Sequence, residues 1–113
     1  MSPRRTPAVL VLAATLTLAS TVAAGEEPEV KLAIEAHKFA PAELLVPSGA
    51  KVKLVVENRD KTPEEFESYA LNREKIIAPG QTAIIYIGPL KPGRYEFFGD
   101  FNPATARGWL VVR

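Results

Sequence analysis

The sequence predicts an all-β sandwich of about seven or eight strands. Three observations carry that reading. Short runs alternating apolar and polar residues recur at roughly 8–12-residue intervals, the spacing of a sandwich or barrel. Each run is bounded by Pro, Gly, Asn or Asp, and the chain holds 10 prolines, which suit edges and corners better than helix interiors. Beyond Ala24 no stretch shows a convincing helical period.

The elements follow in order. "EVKLAIEAHKF" sets Val30, Leu32 and Ile34 against Lys31, Ala33 and Glu35, a period of two. "PAELLVPSGA" is a short apolar piece closed by the Pro47-Ser48-Gly49 turn. "KVKLVVENRD" alternates again and stops at Asn58-Arg59-Asp60. "TPEEFES" reads as an acidic loop, with short turns from Pro63 to Leu71. "EKIIAPGQ" ends in the Pro79-Gly80 turn dipeptide, and "TAIIYIGPLKPG" holds a dense β-branched run before Pro92-Gly93. "RYEFF" and "GWLVVR" complete the set. Alternation assigns Leu32, Ile34, Leu54, Val56, Ile85, Tyr95, Phe97 and Leu110 to the core.

The first residues read as an address. Arg4 and Arg5 precede an apolar run from Ala8 to about Ala19, which ends in Val22-Ala23-Ala24, small residues that fit a signal peptidase pocket. The run is shorter than the roughly 20 residues of a membrane span. Residues 1–24 are therefore expected to be a signal peptide and residues 25–113 one exported domain, periplasmic or secreted, with no stable membrane insertion after cleavage. That domain has no cysteine, so it holds together by its core alone. Loss of Arg4 and Arg5 moves the formal charge from +1 to about −1, and no basic stripe is present for nucleic acid. One histidine and no cysteine cannot build a Ser-His-Asp or Cys-His nucleophile, and a carboxylate pair on a domain this small lacks a cleft, so the chain is not expected to be an enzyme.

Three pieces, "FAPAELLVPSGAKVKLVVEN", "TPEEFES" and "LKPGRYEFFGDFNPATARGWLVV", together resemble the cupredoxins, and most closely the cupredoxin-like domains of the EfeO type that accompany bacterial iron permeases. The resemblance runs from about His37 to Arg113. It implies a Greek-key β-sandwich and, in its blue-copper members, a metal at one end held by two histidines, a cysteine and a methionine. This sequence departs at every one of those positions: the resemblance places Glu64 at the first histidine, Gly99 at the cysteine, Asn102 at the second histidine and Arg107 near the methionine. Met1 is the only methionine. A blue-copper centre, which needs a thiolate, is not expected.

Hard oxygen stands where soft ligands would be. Glu64, Glu65 and Glu67 lie on one segment, and in an extended chain Glu65 and Glu67 project to one face and Glu64 to the other. The resemblance brings Asp100 to the same end. Carboxylates suit Fe²⁺, Fe³⁺, Mn²⁺ or Ca²⁺. With His37, the one imidazole, these five residues form the candidate metal set, with iron as the expected ion and an iron permease or other envelope protein as the expected partner. Plainer readings stand beside it: a solvated acidic loop, Asp100 capping a turn, Asn102-Pro103 initiating one, and a metal-free interaction module.

Overall fold

The computed structural model describes residues 2–17 and 27–113. Residues 2–17 carry no helix or strand. The expected cleavage point after Ala24 lies outside the described residues. Among those described, no helix is long and apolar enough to cross a membrane.

Among the described residues nine strands carry the fold: β1 Glu29–Glu35, β2 Lys38–Ala40, β3 Glu43–Val46, β4 Val52–Asn58, β5 Glu64–Ser68, β6 Arg73–Ile77, β7 Thr82–Ile87, β8 Gly93–Gly99 and β9 Arg107–Val112. They form a four-stranded sheet in the order β2-β1-β4-β7 and a five-stranded sheet in the order β3-β9-β8-β5-β6. The pairs β1/β4 and β3/β9 are parallel, and the chain crosses between sheets to make them. The fold is the expected all-β sandwich.

Alternation fixes the inward faces. Val52, Leu54 and Val56 on β4 face Ala83, Ile85 and Ile87 of β7 in register, and all six are buried. From the other sheet Phe66 and Phe97 stack at 5.3 Å, and Phe39 meets Phe97 edge-on at 5.0 Å. Burying each such ring contributes about 1.5–3 kcal/mol. Gly108 makes the packing possible: a Cβ there would overlap the Phe97 ring and the Ala42 carbonyl.

Three expectations need correction. The run Glu29–Phe39 is two strands, because Ala36 and His37 adopt left-handed φ angles of 51° and 57° and fold it into a hairpin. The Asp60 carboxylate holds that turn by accepting the Ala36 and His37 amides at 2.8 and 3.0 Å. The acidic segment is a strand: β5 pairs with β6 on one side and β8 on the other, so its backbone is laddered despite its charge. Tyr95 is only half-buried, since its hydroxyl reaches out to donate to the Lys91 carbonyl at 2.8 Å. The other seven residues assigned to the core are buried.

Candidate functional site

Because β5 is a strand, its residues divide between two faces. Glu64, Phe66 and Ser68 point inward and are buried; Glu65 and Glu67 point outward and are half-buried. Phe66 belongs to the aromatic core, which fixes the register, and Glu64 therefore enters the end of the sandwich at 1% exposure. Burying a carboxylate is costly unless donors replace its water. Here three do: Phe101 N at 2.9 Å and Glu65 N at 3.1 Å donate to Oε1, and the Asn102 side-chain amide donates to Oε2 at 2.6 Å. Asn58 beside it is also fully buried, donating to the Thr62 and Ile77 carbonyls at 2.9 and 3.0 Å. Glu64 thus ties the start of β5 to the turn that joins β8 and β9.

That arrangement decides whether a type 1 copper centre fits. Of the four positions at which the resemblance sets copper ligands, Glu64, Gly99 and Asn102 come together at this end of the sandwich. A Cβ on Gly99 would lie 2.6 Å from Glu64 Cδ and 2.7 Å from Ala106 Cβ. The carboxylate occupies the space that a cysteine at that position would need. Arg107 takes no part inside: it donates to Pro103 O and to Glu96 Oε1, both at 2.9 Å, with its guanidinium 5.4 Å from the Phe98 ring centroid. With no thiolate in the chain and the pocket filled by a hydrogen-bonded carboxylate, these residues do not fit blue copper.

The candidate ligands separate accordingly. Glu65, Glu67 and Asp100 come together on the outer face of the five-stranded sheet, each offering an oxygen within 4.8 Å of the others. Asp100 arrives there because its amide donates to the Glu65 carbonyl at 2.9 Å, extending the β8–β5 pairing by one step. The Glu65 carboxyl is held above the usual carboxylate range, first by a hydrogen bond shared with Glu67, then by burial and by the charges of Glu67, Asp100 and Glu64. Glu64 lies on the opposite face of the strand. His37 sits in the β1–β2 turn with Nδ1 3.6 Å from Asp60 Oδ2, outside the three-carboxylate group.

Tyr69 was not legible as a surface feature in the sequence. It follows β5 directly, is 80% exposed, and lays its ring 5.4 Å from that of Phe98. The one signal was spacing: Tyr69 continues the Glu65, Glu67 alternation by two residues.

Comparison with known proteins agrees with this fold. Residues 8–112 match the cupredoxin-like domain family. An uncharacterized protein of Rickettsia prowazekii (strain Madrid E), RP394, is 50% identical over 84 residues, covering 74% of this chain and 67% of its own length. The metal-binding domain of the Cu(I)-exporting P-type ATPase CopA of Streptococcus pneumoniae, solved with Cu(I), superposes with a TM-score of 0.67 at 16% identity, over 75% of this chain and 84% of that one. Auracyanin A, a blue copper protein of Chloroflexus aurantiacus, superposes with a TM-score of 0.66 at 13% identity, over 75% and 98% of the two chains. At such identities the structural likeness is one of fold. From the match over residues 8–112 and the half-identical relative, the chain belongs to the cupredoxin-like domain family.

Proposed function

We propose that this chain is an exported accessory protein of iron uptake, akin to the EfeO type, which presents iron at Glu65, Glu67 and Asp100 and docks to an iron permease or another envelope protein. The observation that carries the reading is the three-carboxylate group, whose oxygens lie within 4.8 Å of one another. A cation bound there relieves the mutual repulsion that works against ionisation of Glu65. Oxygen donors suit Fe²⁺ and Fe³⁺, and the pocket that holds copper in blue relatives is closed by Glu64. The protein is a carrier or presenter in this reading and has no catalytic group; its place of work is the periplasm or the exterior, reached through the signal peptide at residues 1–24.

Glu64 favours a second reading. Its hydrogen-bonded carboxylate holds this end of the sandwich together by protein groups alone, so the domain can serve as a metal-free interaction module. Calorimetric titration with Fe²⁺ under anaerobic conditions, and with Mn²⁺, separates the two. Binding heat that disappears in the Glu65→Gln, Glu67→Gln, Asp100→Asn variant supports presentation of iron. Absence of heat at millimolar metal leaves the metal-free module as the function.

A further inference from the structure

The outer face of the β5/β8 pair combines unpaired negative charge with exposed aromatic surface. Glu27, Glu35, Glu43, Glu57 and Glu96 each stand within ion-pair distance of a Lys or Arg, whereas exposed Glu29 and Glu74 do not, and Glu74 lies opposite Glu67 across the β5–β6 ladder. Among the described residues Glu65, Glu67 and Asp100 have no such partner. Glu67 lies directly opposite Phe98 across the β5–β8 ladder, and the Tyr69 ring meets that same ring at a tilt of 57°. Beside it runs an open groove of about 500 Å³ lined by Tyr69, Ala70, Glu96, Phe98 and Arg107. Tyr69 is 80% exposed although its ring is already held on one side, so a large apolar surface is presented in a fixed position. Such a ring loses little conformational freedom when a partner covers it, and aromatic anchors of this kind dominate interface energetics.

The charge of the patch selects the partner. Arg107 over Phe98, paired with Glu96, shows that this aromatic face accommodates a guanidinium. The neighbouring carboxylates have none, and an incoming Lys or Arg would supply it. We infer that this face is a docking surface for a protein partner that presents a Lys or Arg next to an apolar side chain, the apolar group entering the groove beside Tyr69 and the cation meeting Glu65, Glu67 and Asp100. Docking itself is independent of metal. A consequence rests on the iron reading above: the partner's cation and a bound metal compete for the same oxygens, so docking releases the metal, and by linkage the metal weakens docking by the same factor.

The test uses the purified full chain, isotopically labelled for NMR, and a short peptide of alternating lysine and leucine as probe. A peptide of alternating glutamate and leucine is the control. Docking predicts amide shifts confined to β5, β8, the Tyr69–Ala70 segment and Arg107, an affinity that falls as salt rises, and no binding of the control. Tyr69→Ala lowers the affinity about tenfold, Tyr69→Phe retains it, and both keep the parent melting temperature because the site is exposed. Mn²⁺ raises the peptide's dissociation constant in the parent protein. Shifts on another face, equal binding of the acidic control, no binding of either peptide, or an unchanged affinity in Tyr69→Ala overturns the docking surface. Docking that persists unaltered by Mn²⁺, in a protein that gives no binding heat with metal, removes the iron reading and leaves the docking surface standing.

Discussion

Replacing Glu64 by alanine should be among the most damaging single changes at this end of the sandwich. The carboxylate is 1% exposed and accepts from Phe101 N, Glu65 N and the Asn102 side-chain amide. Truncation strands the Phe101 and Asn102 donors, each at a cost of about 1–3 kcal/mol when left without an acceptor. Water entering the emptied space offsets part of this, for a net loss of about 3 kcal/mol. On a domain of this size each kcal/mol moves the midpoint by roughly 4–8 °C, so the variant should melt about 12–24 °C lower. Glu64→Gln keeps the volume and one acceptor oxygen, and the Asn102 amide can turn to present its own oxygen to the new NH₂ group; its loss should be about 1 kcal/mol. Thermal scans and denaturant titrations of the three proteins measure both values. A Glu64→Ala protein within about 0.5 kcal/mol of the parent, the range of ordinary surface changes, would refute the claim that this carboxylate holds the β8–β9 turn.

Other expectations follow from the same geometry. The folded state binds a proton at Glu65 more tightly than the unfolded chain does, because the folded-state pKa is raised; this residue therefore lowers stability as pH climbs from the ordinary carboxylate range through its raised value, and Glu65→Gln should flatten that decline in denaturation curves taken across a pH series. Gly99→Ala drives a methyl group to 2.6 Å from Glu64 Cδ and should cost about 1–3 kcal/mol, with a smaller cost in the Glu64→Ala background, read as coupling in a double-mutant cycle. Addition of Cu²⁺ should give no intense blue absorption, since no thiolate is present to produce it; a strong visible band in pure protein would contradict the reading of the filled pocket.

Much of the fold was written in the sequence where one strand face is apolar and the other polar. β4 and β7 alternate cleanly and pair in register, so Leu54, Val56 and Ile85 could be assigned inward from spacing alone. β5 hid for the opposite reason: in Glu64–Ser68 the inward positions are Glu, Phe and Ser, and only Phe66 looks like core. That Glu64 opposes Glu65 and Glu67 follows from the pleat. Which side is interior depends on β6 and β8, whose contacts are distant in sequence. The β1–β2 break was invisible because its turn uses Ala36 and His37 with no Gly, Asn or Asp among them, and is held by Asp60 some two dozen residues away. Convergence of Asp100 with Glu65 and Glu67 likewise rests on one backbone hydrogen bond between strands. These placements change how the metal site must be probed: a variant that removes Glu64 disturbs the fold, whereas Glu65, Glu67 and Asp100 can be neutralised from the surface.

The central claim is that a cupredoxin fold whose copper pocket is filled by Glu64 presents a hard cation on its outer face. Its most direct test is the metal-dependent melting shift of the parent protein beside the Glu65→Gln, Glu67→Gln, Asp100→Asn variant, each with chelator, Mn²⁺ or anaerobic Fe²⁺. At about 100-fold excess of metal over its dissociation constant the parent should gain roughly 2.7 kcal/mol, a rise on the order of 10 °C or more, which shrinks at acid pH as the carboxylates protonate. The variant should fold, melt at or above the metal-free parent, and show no shift. An equal shift in parent and variant would place the metal elsewhere on the protein, and no shift in the parent would contradict the claim outright.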